Sequence, residues 1–347
     1  MSYPALDQYL ARLHDKVPNQ AQPSNSSGES ESSTPIDQNR VWLNADGRVQ
    51  GSYFNITLTS VFQPIRQIAV NDSVAMVAPV APFATASTGS AGSEGVCGSD
   101  NPNPIIGYEG FAHSYSANDN GLYLWRLLDP AASDDESIEL DRLCRMLHSI
   151  NFFRQAQQAD PTNQQSVQQP QLFLSVHARL LAAVDSNHGT AFRRILTLLG
   201  LPQEDIVLQL PPVTATQSWL LNYVLDNYRR NHFRLAVNAD SIGQAHDLLE
   251  RVRPDVLKID GRGMANDAET RRLLDIAQDR SIQIIFKRLE KLRDFESVQE
   301  IAQVVFSASG ARIFAQGFFW DLPQATLTTF APSAGVVDRR STASVTD

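Results

Sequence analysis

The stretch 233–260, FRLAVNADSIGQAHDLLERVRPDVLKID, constrains the fold more than any other part of the chain. Two short apolar runs, 234–237 and 256–259, each stop at polar residues, and between them Ala245, Leu248, Leu249 and Val252 recur at helical spacing. Strand, crossover helix and second strand in that order make one parallel βαβ unit. The two strands end at Asn238–Asp240 and Lys258–Asp260. Ligands of parallel sheets sit at strand C-termini, so these polar residues are either a site or the remnant of one.

The same theme repeats along the chain. Strand-like runs occur at 61–65, 105–111, 172–176, 206–210, 234–237, 256–259, 282–286 and 312–315, with helical patterns at 136–154, 214–230, 241–252, 268–279 and 296–306. Eight strands in about 250 residues of alternating strand and helix is the size of an α/β (β/α)8 barrel of the TIM type. An open doubly wound sheet is the competing arrangement.

Around this barrel the composition sets the boundaries. Residues 1–17 carry Leu6, Tyr9, Leu10 and Leu13 at helical spacing, an amphipathic helix whose apolar face must dock on this chain or on a partner. Residues 18–40 are too polar to fold and read as a disordered linker. The barrel then occupies 41–330, entered through a hairpin at 41–56. It is interrupted by a flexible insertion at 69–103 rich in Ala, Ser, Gly and Pro. A last short helix is expected at 322–330, and 331–347 is a disordered polar tail.

The net charge of −9 argues against binding a nucleic acid polymer or an anionic membrane. No apolar run is long enough to span a bilayer and the N-terminus lacks a signal-peptide pattern, which predicts a cytoplasmic protein. Cys97 and Cys144 have no ligand spacing, and the seven histidines show no HxxxH or HExxH pattern. Ser175 and Ser241 lack a GxSxG context.

The ordered segments FQPI at 62–65, GYEGF at 107–111, LFLSV at 172–176, LAVNADSIG at 235–243, LKID at 257–260 and QGFF at 316–319 resemble the EAL family over about residues 61–328. That family comprises cyclic di-GMP phosphodiesterases and their inactive relatives, with a (β/α)8 barrel whose first strand is antiparallel. The resemblance implies a two-metal hydrolase site. Its acidic ligand in Glu-Ala-Leu survives as Glu109, and its lysine and glutamine match Lys258 and Gln316. The phosphate-holding arginine falls on His113, a metal-binding Asn on Ser175, and two glutamates on Gln209 and Pro212. The paired aspartates fall on Asn238 and Ala239, and the glutamate of Ala-Glu-Gly on Lys287.

On this reading the formal charge of the mouth goes from about −4 in the family to about +1, with Glu109 facing Lys258 and Lys287. Divalent metal pairs need several carboxylates, so no metal and no cofactor are expected. The expectation is a non-enzymatic signalling regulator that binds a protein partner, a homodimer being compatible with the resemblance. The alternatives are a metal-independent cyclic di-GMP receptor and a rearranged hydrolase. For the receptor, Phe111, Lys258, Asp260, Lys287, Arg288, Gln316 and Phe318 are the candidate ligand-binding residues.

Overall fold

The computed structural model describes residues 2–15, 41–53, 56–70, 103–114, 133–158, 169–177, 189–211 and 218–327. The expected linker, most of the expected insertion, Pro212, Cys97 and the C-terminal tail lie outside the described residues. Ten strands follow in order: β1 (Val41–Leu43), β2 (Val49–Tyr53), β3 (Ile56–Gln67), β4 (Ile105–Ser114), β5 (Gln171–Ser175), β6 (Ile206–Leu210), β7 (Arg234–Ala239), β8 (Val256–Asp260), β9 (Gln283–Lys287) and β10 (Phe314–Ala315). The helices are α1 (Pro4–Asp15), α2 (Asp134–Gln158), α3 (Thr190–Leu199), α4 (Ser218–Arg230), α5 (Ile242–Arg251), α6 (Ala268–Asp279) and α7 (Leu292–Ser309).

Strands β4 to β10 are parallel neighbours in sequence order, and β3 closes the ring by pairing antiparallel with both β4 and β10. The result is a closed eight-stranded barrel, which excludes the open sheet. β1 and β2 extend the sheet from the first half of β3 as an antiparallel meander. Its tight turn needs Gly47, whose φ of 79° places it in the left-handed region.

Two apolar layers hold the barrel. The inner one is Ile65, Phe173, Val207, Ala236, Val256 and Ile285, one residue from each of six strands, with Ile106 and Phe314 packed against it. The outer one lies between the strands and the helices and includes Leu208, Leu235, Val237, Ala239, Leu257, Ile259 and Phe286. Strand alternation makes the two layers from adjacent residues.

Local chemistry sets the helix starts. Ser133 and Glu136 form a reciprocal capping box that opens α2, so that helix begins two residues before the sequence pattern suggested. Ser241 accepts from the Gln244 amide at α5, and Asp267 from the Thr270 amide at α6. Helix α3 has no counterpart in the sequence expectation, although Phe192, Leu196 and Leu199 bury one face of it.

The expected last helix does not form over 322–327. Pro323 restricts that backbone, and Gln324 instead exchanges both backbone hydrogen bonds with Phe62 at 2.7 and 2.9 Å. Asp321 fixes the approach by accepting two bonds from the Arg66 guanidinium at 2.7 and 2.9 Å.

Helix α1 docks on the chain itself. Tyr3, Leu6, Leu10 and Leu13 are all buried, and α1 contacts β1 and α3. Its apolar face is therefore not free to recognise a partner in this state.

Candidate functional site

Strand parity builds the mouth. Two residues beyond each inner-layer residue, toward the C-terminal end of the parallel strands, stands a polar side chain. Phe173 leads to Ser175, Val207 to Gln209, Ala236 to Asn238, Val256 to Lys258, Ile285 to Lys287 and Phe314 to Gln316, while in antiparallel β3 Ile65 leads back to Gln63. Glu109 of β4 completes the ring, paired in register with Gln63 and with Phe173.

These residues line a cavity of about 540 Å³ with Phe111, Asp240, Arg288, Glu290 and Phe318 at its rim. Its floor is one hydrogen-bonded cluster centred on Lys258, whose side chain is 1% exposed. The ammonium donates to Glu109 Oε2 at 2.7 Å, Gln209 Oε1 at 2.6 Å and Gln316 Oε1 at 2.9 Å, using all three protons. It also lies 5.6 Å from the ring centre of Phe173 beneath it.

Glu109 is occupied from its other side. Gln209 Nε2 donates to Oε1 and Gln316 Nε2 to Oε2, both at 2.8 Å, and Gln316 also reaches Gln63. Burial alone would push the Glu109 carboxyl upward. The Lys258 charge, then its hydrogen bond and those of the two glutamines, outweigh that and hold it below the usual carboxylate range.

Higher in the mouth Lys287 donates to Asn238 Oδ1 at 3.0 Å and stands 3.6 Å from Asp240. Burial lowers the Lys287 pKa, with Asp240 opposing. Asn238 in turn donates to the Leu210 carbonyl at 2.9 Å.

The structure thus brings together Glu109, Phe111, Ser175, Gln209, Asn238, Lys258, Lys287, Arg288, Gln316 and Phe318. Three expected residues do not join them. Ala239 is fully buried in the outer layer, because its place in the strand alternation is opposite to that of Asn238. His113 shares the face of Glu109 and Phe111 but lies two residues farther along β4, beyond the lining. Asp260 is turned to Arg262 and Arg288, at 2.6 and 3.0 Å, rather than into the cavity. Burial favours its neutral form, yet the Arg262 and Arg288 hydrogen bonds bring its pKa down to about 2.

Gln63 and Glu290 line the mouth and were absent from the sequence candidates, and Asp240, already placed at its strand end, lines it with them. Parity from Ile65 was the available signal for Gln63. The whole lining holds Glu109, Asp240 and Glu290 against Lys258, Lys287 and Arg288, a formal sum of zero, while the three positions counted from the sequence, Glu109, Lys258 and Lys287, still sum to +1.

The aromatic run after β10 divides. Phe319 stacks on Phe295 at 5.8 Å and Trp320 meets the same ring edge-on at 4.7 Å, whereas Phe318 remains 49% exposed over the mouth. Among the described residues no group of three or more His, Cys, Asp and Glu is arranged to hold a metal ion, and no helix is long and apolar enough to cross a membrane.

Neither family models nor curated proteins match the chain. Solved structures do. BlrP1 of Klebsiella pneumoniae, solved as a manganese and cyclic di-GMP complex, superposes with a TM-score of 0.51 at 15% identity, over 84% of this chain and 60% of that one. The EAL domain of Xanthomonas citri FimX in complex with cyclic di-GMP gives 0.51 at 14% identity, over 78% and 90%. The EAL enzyme Bd1971, in its cAMP and cyclic di-GMP bound form, gives 0.53 at 14% identity, over 77% and 62%. The chain spans less than two thirds of the length of BlrP1 and of Bd1971. At these identities the likeness is one of fold: the barrel is that of the solved EAL domains.

Proposed function

We propose that this EAL-type barrel is a non-hydrolysing regulator that acts by binding a protein partner in a signalling pathway. The observation that carries the reading is Glu109, the one carboxylate on the floor of the mouth, whose two oxygens are taken by Lys258, Gln209 and Gln316. A pair of divalent ions does not fit this donor set. Both oxygens of the one floor carboxylate are already engaged, and the remaining floor groups are neutral amides and a cation. A unit charge about 4 Å away at an effective dielectric near 20 is worth about 4 kcal/mol, and twice that against a divalent ion. Ser175, Gln209, Asn238 and Lys287, where the family resemblance implies metal ligands, supply no charge to offset Lys258.

Incubation of the purified chain with cyclic di-GMP and Mg²⁺ or Mn²⁺ tests the reading. No turnover is expected; metal-dependent turnover at ordinary enzyme rates overturns it.

A second reading, metal-free binding of cyclic di-GMP, is favoured by Lys287 and Arg288 beside Phe111 and exposed Phe318 in a cavity of about 540 Å³. Against it stand Asp240 and Glu290 in the same lining, which cancel the basic rim toward an anionic dinucleotide. Titration calorimetry separates the two: heat without metal supports the receptor, and no heat in either arm supports the partner-binding regulator.

A further inference from the structure

The two lysines of the mouth differ in what holds them. Lys258 gives all three of its protons to Glu109, Gln209 and Gln316 and is 1% exposed. Lys287, on the neighbouring strand β9, donates to Asn238 Oδ1 at 3.0 Å, stands 3.6 Å from Asp240 Oδ1, lines the cavity and is 15% exposed. An ammonium has three donors, so at least one proton of Lys287 has no protein acceptor among the described residues. Lys258 is thus a structural cation, while Lys287 is an amine open to a ligand in a cavity of about 540 Å³, the size of a small-molecule site.

The surroundings of Lys287 suit an amine that attacks a carbonyl. Burial lowers its pKa; Asp240 opposes, and Arg288 and Lys258 act with burial. A lysine so placed carries more of the neutral, nucleophilic form than a surface lysine does. The protonated imine that results keeps its positive charge beside Asp240 and Asn238, and Asp240 is anchored through its own amide, which donates to Gln244 Oε1 at 2.6 Å. Phe111 and Phe318 give the cavity apolar walls. Arg288, the next residue, bonds Asp260 at 3.0 Å yet stays 50% exposed at the rim. Its φ of 62° lies in the left-handed region, a costly conformation for a non-glycine residue and one that collects at functional sites. With Asp240 and Glu290 in the same lining, the rim suits a ligand with one negative charge rather than several.

We propose that Lys287 is a reversible covalent binding site for a small carbonyl compound with one carboxylate, an aldehyde acid or α-keto acid, held as an imine with its carboxylate on Arg288. The Lys287 nitrogen forms a bond to the carbonyl carbon, the carbon–oxygen bond breaks, and the oxygen leaves as water. Ammonium and carbonyl thereby become protonated imine and water, so no oxidant or reductant is consumed and the charge at Lys287 is unchanged. The inference goes beyond the partner-binding reading and does not rest on it.

The test uses the intact chain, glyoxylate as the probe and cyanoborohydride, which reduces a protonated imine to a stable carboxymethyl amine. The chain has four lysines, Lys16, Lys258, Lys287 and Lys291, so peptide masses assign every lysine adduct. The adduct is expected on Lys287 about tenfold faster than on exposed Lys291, and it should saturate with glyoxylate. Without cyanoborohydride, dialysis should return the unmodified chain. Arg288→Gln should raise the half-saturating glyoxylate concentration severalfold, and an equal rise for acetaldehyde, which has no carboxylate, overturns the role of Arg288. Equal labelling of Lys287 and Lys291, labelling that rises linearly up to about 10 mM glyoxylate, or an adduct that forms first on Lys258 overturns the proposal. Cyclic di-GMP turnover by the same sample would instead remove the partner-binding reading and leave the labelling result standing.

Discussion

Replacing Lys258 with methionine tests the account of the mouth most directly. The change keeps the unbranched stem of the side chain but deletes the ammonium that bonds Glu109, Gln209 and Gln316. Removing one member of a buried ion pair costs about 3–5 kcal/mol, because the other charge is left uncompensated. Glu109 keeps two amide donors and is 13% exposed, which places the cost near the lower end, about 3 kcal/mol at pH 7. In the wild type the Glu109 pKa is lowered, so its contribution is present above the ordinary carboxylate value and is lost as pH falls through the folded value. Without Lys258 burial dominates and the folded pKa rises above the unfolded one. The deficit of the variant should then shrink as pH falls from 7 toward about 4.3. Urea denaturation at pH 7 and pH 5 reads both effects, and Glu109→Gln in the same background should recover part of the loss. A deficit at pH 7 below about 1 kcal/mol, or one that grows on acidification, would refute the claim that Lys258 and Glu109 compensate each other.

Three further outcomes follow from the geometry. His148 is fully buried against Ser60 Oγ at 2.8 Å and burial lowers its pKa to about 3, so the unfolded chain takes up its proton first as pH falls. Its contribution, complete above pH 6.5, should fall by about 2 kcal/mol between pH 6.5 and 5, and His148→Gln should remove that slope from stability measured by denaturant titration. Gly317→Ala would place its new Cβ 2.0 Å from the Leu289 carbonyl oxygen, a backbone atom that cannot step aside, and should cost several kcal/mol in the same assay. The double change Asn238→Asp, Ala239→Asp should not produce phosphodiesterase activity. Position 239 is buried in the outer apolar layer, so the variant should melt at a markedly lower temperature than Asn238→Asp alone.

Much of the barrel was legible because it depends on local patterns. The apolar runs that became β5 to β9, and the 3.6-residue spacing that became α5 and α6, read directly in the stretch 171–287. Helix α3 carries the same spacing in Phe192, Leu196 and Leu199, but no capping side chain marks its start at Gly189, and it was passed over. The end of the chain was misread as helix because a long-range bridge from Gln324 to Phe62 decides its backbone.

The site was legible to a different degree. Motif order located Glu109, Lys258 and Gln316, and the structure brings all three into contact. Motif order also put Ala239 beside Asn238 as if adjacent residues shared a site, whereas the pleat sends them to opposite faces. The opposite error left out Gln63, which parity from Ile65 places in the mouth.

What the sequence determined alone was periodicity, and with it the alternation of strands and helices and the identity of the groups available at the strand ends. The bridge between Gln324 and Phe62, the entry of Gln63 and Glu290 into the mouth and the docking of α1 on its own barrel were decided only in three dimensions. Each depends on which residues far apart in the chain share one dry volume. There the energy of a charge is set by its neighbours, as it is for Lys258 among Glu109, Gln209 and Gln316.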